Sequence, residues 1–174
     1  MKYFLLNLDP VWKVPRILNG FEEINRRDIN LKKWRTIQNR VLFFVDAGGE
    51  SVLTGVLNNP FFLLSEDVYK ITQKYDPLLR SRQIVLLDKD IGLSCLYYLP
   101  ILPRVDCISK KSILNNGRNK FIGTPVLNIN EIGNKHIFWL AGFNSDLPVI
   151  SLDLAESILR RDTMGIGLTP VELE

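Results

Sequence analysis

The side chains best suited to chemistry in this chain are a single histidine and two cysteines. As a general base, His136 would need a nucleophile to activate and a third group to orient its ring. It is followed instead by Ile137-Phe138-Trp139, a run typical of a strand. A zinc site would need more ligands than one histidine and the separated Cys95 and Cys107. We therefore expect His136 to be structural, and we expect no metal site.

The serines, carboxylates and glycines match no catalytic motif either. Neither Ser65 nor Ser151 lies in the Gly-x-Ser-x-Gly turn of an activated serine. Glu66-Asp67, and Asp88 with Asp90, are close only in sequence, whereas paired-carboxylate catalysis needs two acids across a cleft, so we interpret them as solvated acids. Two glycine-rich places lack the P-loop and dinucleotide-binding patterns: Gly48-Gly49 and Gly165-Ile166-Gly167. The sequence predicts no enzyme and no cofactor.

Basic side chains are concentrated near residues 26–40 and 110–120. The first cluster surrounds Trp34, with Asp28 as its only acid, and contains Arg26, Arg27, Lys32, Lys33, Arg35 and Arg40. The second contains no acid and consists of Lys110, Lys111, Arg118 and Lys120. Basic side chains beside an aromatic ring can bind nucleic acid or an acidic protein, and they can equally form plain solvated surface. All three interpretations stay open on these residues alone.

The composition is that of an ordinary globular protein. Of the 174 residues, 46% are hydrophobic and 24% charged, which suffices for a core without disulfides or metals. The net charge of +3 is too small to indicate nucleic-acid binding by itself. We expect Cys95 and Cys107 to be buried free thiols in strand-like surroundings.

The N-terminal segment begins apolar but is interrupted at Asn7, Asp9 and Pro10. A secretory signal has a longer apolar region and a small-residue cleavage site, so residues 3–8 are predicted to form a strand. No apolar run approaches the roughly 20 residues that span a bilayer. We expect a cytoplasmic protein with no membrane partner.

Apolar runs separated by turn residues predict several strands. Residues 41–45 are predicted to form a buried strand that ends at a turn, Asp46-Ala47-Gly48-Gly49. Residues 10–36 are predicted to be a long irregular connection. Further strands are predicted at 52–57, 83–87, 93–99, 104–108, 125–129, 136–140 and 148–152, with loops at Asn115-Asn116-Gly117 and Ile132-Gly133-Asn134.

Two helices are predicted among these strands. Ser65 is a favourable N-cap for the first, which ends before Pro77. Its apolar face is predicted to contain Val68, Ile71 and Tyr75. The second is a C-terminal helix that begins at Asp153, whose side chain is expected to cap it while Glu156 reaches back in a capping box. Its apolar face is predicted to contain Leu154, Ala155, Ile158 and Leu159, and its last turn Arg160 and Arg161.

The order of these elements predicts an α+β fold. Most connections between consecutive strands are too short for helical crossovers, which favours a mostly antiparallel or mixed sheet with a few packed helices. We expect residues 1–174 to form a single domain. The alternative is a two-lobed domain with a joint near 109–125, a stretch that contains Asn and Gly residues and one Pro.

The chain resembles a family of uncharacterised bacterial domains classed with the immunity proteins of polymorphic toxin systems. The resemblance lies in four segments, all without catalytic signatures. They are Lys2-Tyr3-Phe4-Leu5-Leu6, Pro60-Phe61-Phe62-Leu63-Leu64-Ser65-Glu66-Asp67-Val68, Ile84-Val85-Leu86-Leu87 with Tyr97-Tyr98-Leu99-Pro100, and Leu154-Ala155-Glu156-Ser157-Ile158-Leu159-Arg160-Arg161. The resemblance implies a protein that binds and neutralises a cognate toxin by forming a stoichiometric complex.

The segment with two tryptophans and flanking charge supplies the candidate partner-binding residues. They are Trp12, Trp34, Arg35 and Arg40. The alternative function is a nucleic-acid-binding module that uses the clusters near 26–40 and 110–120. A third class, an enzyme with carboxylates assembled from distant segments, would require a deep pocket lined by acids with raised pKa values.

Overall fold

The computed structural model describes residues 2–112, 114–115, 120–121, 124–142 and 147–174. These residues form an α+β fold with mixed and antiparallel sheets, which confirms the predicted fold class. The helices are α1 (Gly20–Glu23), α2 (Glu66–Tyr75), α3 (Ile129–Ile132) and α4 (Leu152–Leu159). None of the described helices is long and apolar enough to cross a membrane.

The larger sheet has six strands, all from residues 16–101. In spatial order they are β2 (Arg16–Ile17), β3 (Arg40–Asp46), β6 (Arg80–Asp88), β7 (Leu93–Ile101), β5 (Leu63–Ser65) and β4 (Val56–Leu57). Strands β3 and β6 are parallel and the other neighbours are antiparallel. The parallel pair is possible because α2 lies in the connection between its two strands.

Side chains alternate between the two faces of this sheet, and one of these faces is well covered. Ile84 and Leu86 of β6 are fully buried there with Phe43 of β3. The opposite face is less covered: Leu42 is 40% exposed and Phe44 is half-buried. The prediction that residues 41–45 form a completely buried strand is therefore wrong in its burial, because this pair of strands is covered fully on one side only.

The second sheet has five strands and combines both ends of the chain. In spatial order they are β14 (Ile166–Pro170), β1 (Tyr3–Leu8), β13 (Val149–Ser151), β12 (Ile137–Leu140) and β8 (Arg104–Val105). The predicted strand at residues 3–8 is confirmed, and it pairs with β13 and β14 in antiparallel register. Only β12 and β8 run parallel in this sheet.

Two small strand pairs complete the described topology. Strand β9 (Leu114–Asn115) is antiparallel to β10 (Lys120–Phe121), and β11 (Val126–Leu127) is parallel to β15 (Glu172–Leu173). Residues 113, 116–119, 122–123 and 143–146 lie outside the described residues. Part of the predicted joint near 109–125 and most of the predicted loop at 115–117 lie among these residues.

Several predicted boundaries are wrong. The strands predicted at 52–57, 104–108 and 125–129 are reduced to β4, β8 and β11, and α3 occupies part of a predicted loop. The stretch at 10–36 contains β2, α1 and 3-10 turns at Arg26–Asp28 and Trp34–Thr36. Elements of two to four residues leave no periodic signal, so hydrophobic patterning does not reveal them.

Helices α2 and α4 share a core with both sheets. Val68 of α2, Leu154 of α4, Leu6 of β1 and Leu64 of β5 are all fully buried in one cluster. The two helices also meet through Tyr75, whose hydroxyl donates to the Asp153 carbonyl at 3.0 Å. The predicted apolar faces are confirmed at Val68, Ile71, Leu154, Ala155 and Ile158, whereas Leu159 is 48% exposed.

The N-terminus of α4 differs from the prediction. The capping residue is Ser151, whose Oγ accepts a hydrogen bond from the Leu154 amide at 3.3 Å. Asp153 lies inside the first turn, so the capping box with Glu156 is wrong. Ser151 ends β13 and its Oγ also lies 2.8 Å from His136 Nδ1, which fixes the hydroxyl at the start of the helix. By contrast, Ser65 caps α2 as predicted, through the Val68 amide at 3.4 Å.

Replacing Ser151 by alanine is expected to lower the free energy of unfolding by about 1–2 kcal/mol. The change removes the cap and leaves His136 Nδ1 without its hydroxyl neighbour. Urea denaturation measures the effect, with Asp153→Ala as the matched control. Because Asp153 does not cap, its variant should change stability by no more than about 0.5 kcal/mol. Equal losses in both variants would contradict this assignment.

The turn between β6 and β7 is held by a buried carboxylate. Asp88 is 4% exposed and accepts hydrogen bonds from the amides of Ala47 at 2.8 Å, Asp90 at 2.9 Å and Ile91 at 3.3 Å. The bond from Ala47 is the main cause that lowers the pKa of the Asp88 carboxyl, and the other two act in the same direction. The interpretation of Asp88 as a solvated acid is therefore wrong.

This carboxylate predicts an acid-dependent loss of stability. Since folding lowers the pKa of Asp88, its contribution is fully present above its ordinary pKa of 3.8 and is lost as pH falls through the lower, folded pKa. Asp88→Asn should therefore show a smaller drop in the free energy of unfolding between about pH 5 and about pH 2.5 than the unmodified chain. Denaturant titrations at several pH values test this, with the exposed Asp90→Asn as control. An unchanged slope in Asp88→Asn would refute it.

Candidate partner-binding site

The segment that carries Trp34 is ordered by its own polar side chains. Asn25 Oδ1 accepts from the Arg27 amide at 2.9 Å, and Asn30 Oδ1 accepts from the amides of Lys32 and Lys33 at 2.9 and 3.0 Å. These are the short-range turns that asparagine favours. Buried residues anchor the segment at both ends, at Ile24 and Ile37. The connection is irregular in secondary structure, yet it holds Trp34 in a defined place.

Trp34 is surrounded by three guanidinium groups. The Cζ atom of Arg82 lies 4.3 Å from the centroid of the indole ring, that of Arg80 lies 5.5 Å away and that of Arg35 lies 5.8 Å away. Each distance is within the range of a cation–π interaction. We call Arg35, Arg80, Arg82 and Trp34 the guanidinium cluster. None of the ion pairs found among the described residues includes one of these arginines.

Arg82 is the least accessible member of the guanidinium cluster. It is 9% exposed, and its Nε donates to the Trp34 carbonyl at 3.3 Å while Nη1 donates to Asn39 Oδ1 at 2.7 Å. Burial lowers the pKa of the Arg82 guanidinium from its ordinary value. Arginine still keeps its proton in proteins, so a buried positive charge is held here by neutral oxygens and an aromatic ring.

The structure brings together only two of the four predicted partner-binding residues. Trp34 and Arg35 belong to the guanidinium cluster, whereas Arg40 is paired in register with Gln83 and donates from Nε to Gln83 Oε1 at 2.9 Å. Gln83 follows Arg82 in β6, so it points to the opposite face of the sheet. Trp12 is half-buried in a turn after β1, where its amide donates to the Asp9 carbonyl at 3.1 Å.

Sequence reasoning missed Arg80 and Arg82. Both precede the strand predicted at 83–87, but β6 begins at Arg80, and residues two apart in a strand share a face. The spacing Arg80-Ser81-Arg82 was the available signal for two arginines on one side of a strand. Their position beside Trp34 depends on how the 24–39 segment packs on the sheet, which local patterns do not contain.

An exposed apolar surface belongs to the same N-terminal segment. Phe21 is 66% exposed and Leu18 is 54% exposed. The Phe21 ring packs edge-on against Phe61 at 5.4 Å, and the Arg26 guanidinium lies 5.8 Å from its centroid. Val14, Ile17 and Pro60 line a shallow cleft next to these side chains. Large exposed apolar side chains beside polar ones are typical of surfaces that bind other proteins.

The second basic cluster is described only in part. Lys111 Nζ pairs with Glu174 at 2.6 Å, and this hydrogen bond is the main cause that lowers the pKa of the Glu174 carboxyl. Arg118 lies outside the described residues, and the Lys120 side chain is not described. The pairing of Lys111 reduces the net positive charge at 110–111, in contrast to the guanidinium cluster.

The serine and cysteine side chains that could act as nucleophiles are buried or occupied by structural hydrogen bonds. Ser151 is fully buried and occupied as a helix cap beside His136. Burial raises the pKa of both the Cys95 and the Cys107 thiol to about 11, so both are protonated at neutral pH and poor nucleophiles. Both thiols are free; Cys95 is half-buried in β7, and Cys107 is buried after β8. No group of three or more His, Cys, Asp or Glu among the described residues could hold a metal ion.

No protein-family model matches this chain, and no curated protein has a matching sequence.

Proposed function

We propose that this chain is a non-catalytic, immunity-like protein that binds a cognate bacterial toxin and neutralises it by forming a stoichiometric complex. The guanidinium cluster carries the proposal: three arginines surround one tryptophan without an acidic partner among the described ion pairs. Arginine and tryptophan are the residues most enriched at the energetic centres of protein interfaces. The resemblance of four sequence segments to immunity proteins supports the same function.

The apolar surface around Phe21 and Leu18 favours a protein over a nucleic acid as the partner. Protein interfaces combine an apolar centre with aromatic and arginine side chains, and this segment of the chain exposes both kinds. Arg82 also lies over the Trp34 ring at 4.3 Å, so that face of the indole is not open for a base to stack on. A positive surface further speeds association with an acidic toxin.

A capture and rescue experiment tests the proposal. The tagged chain is incubated with nuclease-treated lysate of the organism that encodes it, and the stoichiometric partner is then expressed alone or together with the chain. We expect the partner to stop growth when expressed alone and to be harmless beside the chain. The variant Arg35→Gln/Arg80→Gln should lose most of the rescue. The control Lys70→Gln/Lys74→Gln removes the same charge from the exposed side of α2 and should retain it.

Two outcomes would overturn this function. A partner that is harmless on its own would exclude neutralisation of a toxin. Retention of nucleic acid alone, with an affinity that falls steeply and linearly with the logarithm of salt concentration, would favour the nucleic-acid-binding alternative.

A further inference from the structure

Arg82 has hydrogen-bonding capacity that the described residues do not use. A guanidinium carries five N–H donors, and those of Arg82 meet two acceptors, the Trp34 carbonyl and Asn39 Oδ1. Both acceptors are neutral. The three remaining N–H groups have no acceptor among the described residues, and the Nη2 atom that carries two of them is not fully buried, so a ligand can reach it. A buried charge is ordinarily paired with an opposite charge, and no described ion pair supplies one here.

Positive charges next to Arg82 favour the binding of an anion at this place. Arg80 and Arg35 place two more positive charges within 5.8 Å of the same indole ring. Three like charges gathered around one ring repel each other, and the partial burial of Arg82 weakens the screening by water. The negative face of the indole offsets only part of this repulsion. An anionic group that reached the cluster would reduce this repulsion.

The geometry points to the guanidinium cluster as a receptor for a carboxylate, supplied by an aspartate or glutamate of the partner protein. This inference rests on the proposed function and names the chemistry of the partner at this site. The planar fork of an arginine matches the two oxygens of a carboxylate in a bidentate pair, and Arg82 is already oriented by its two hydrogen bonds.

The shape of the cluster favours a carboxylate over the phosphates of a nucleic acid. Phosphates are spaced along a strand and are met by an extended row of basic groups. Here the three guanidinium groups surround one ring, so the positive charge is compact and suits one inserted side chain. The net charge of the chain is only +3, so acids elsewhere in the chain nearly balance its basic side chains.

The test uses a fluorescein-labelled octaglutamate peptide as the probe and anisotropy as the readout, at low ionic strength. We expect the unmodified chain to bind it, and Arg82→Met and Arg82→Lys to bind at least about tenfold more weakly, since lysine keeps the charge but loses the fork. Quenching of the indole fluorescence upon binding should disappear in Trp34→Phe.

The control Lys70→Gln/Lys74→Gln should bind the peptide with an affinity within about twofold of that of the unmodified chain. Thermal melts verify that each variant is folded, and if Arg82→Met fails to fold, Arg82→Lys decides alone.

Unchanged binding in both Arg82 variants would overturn the carboxylate receptor. So would tighter binding of a labelled octathymidylate of comparable charge, because it would assign the cluster to nucleic-acid phosphates. The proposed function fails separately: a chain that binds octaglutamate through Arg82 but does not rescue growth from its captured partner retains the receptor and loses the immunity role.

Discussion

Replacing Phe43 by alanine is expected to lower the free energy of unfolding by about 3–5 kcal/mol. Phe43 is fully buried at the centre of β3, and its ring stacks on Phe61 with a centroid distance of 6.0 Å and an interplanar angle of 28°. Truncation removes the buried ring and leaves a cavity between Phe61 and the side chains of β6, which the rigid sheet fills only partly. Urea denaturation monitored by circular dichroism measures the loss.

The neighbouring residue provides a matched control for Phe43. Phe44 has the same side chain but points to the opposite face of the sheet, where it is half-buried beneath Lys89, whose Nζ lies 4.1 Å from the ring centroid. Phe44→Ala should cost about 1 kcal/mol, mainly through lost partial burial and this cation–π contact. If both variants lost equal stability, the one-sided coverage of β3 described above would be incorrect.

The elements with strong local signals could be predicted from the sequence. Strand β1 and helix α2 with its Ser65 cap are examples, since a run of apolar residues and a favourable capping residue each act over a few positions. The cap of α4 could not be assigned in this way. Ser151 and Asp153 are both good N-caps, and the choice depends on where β13 ends and on His136, which directly precedes the adjacent strand β12.

Only part of the guanidinium cluster could be predicted from the sequence. The abundance of arginine around Trp34 was visible, but the closest guanidinium comes from Arg82, which is 48 positions away in the chain. A cluster across such a separation is created by the packing of a loop on a sheet, and neither hydrophobic period nor composition encodes it. Arg40 illustrates the reverse case: it is near Trp34 in sequence, but the alternation of the strand places it on the other face.

Arg82 and core residues such as Phe43 are expected to differ in what they contribute to stability and to binding. Replacing Arg82 removes its hydrogen bonds to the Trp34 carbonyl and Asn39 Oδ1 and its contact with the indole, so its variants should lose some stability as well as binding. By contrast, the side chain of a core residue such as Phe43 stabilises the fold and is inaccessible to any partner.

Gly165→Ala is expected to be the second severe substitution, with a loss of about 2–5 kcal/mol. Gly165 has φ of +77° and lies in the turn between α4 and β14, where its carbonyl accepts from the Asp9 amide at 3.0 Å. A Cβ at this position would enter the side chain of Thr54, which is 1% exposed and has no room to move. The variant combines backbone strain of about 1–2 kcal/mol with overpacking of about 1–3 kcal/mol. Urea denaturation again measures the loss.

Gly92→Ala and Thr54→Ser together separate strain from overpacking at Gly165. Gly92 has a similar φ of +69° but open space around its Cβ position, so its alanine variant should show the backbone strain alone, about 1–2 kcal/mol. Thr54→Ser removes the methyl group, one of the two Thr54 atoms that the new Cβ at position 165 would strike, and keeps the Thr54 Cβ and the hydroxyl that donates to the Val56 carbonyl. The double variant Thr54→Ser/Gly165→Ala should therefore be less destabilised than the two single losses added together. Strict additivity would show that the clash with the Thr54 methyl group is not the cause, and a loss in Gly92→Ala equal to that in Gly165→Ala would assign the whole effect to the backbone.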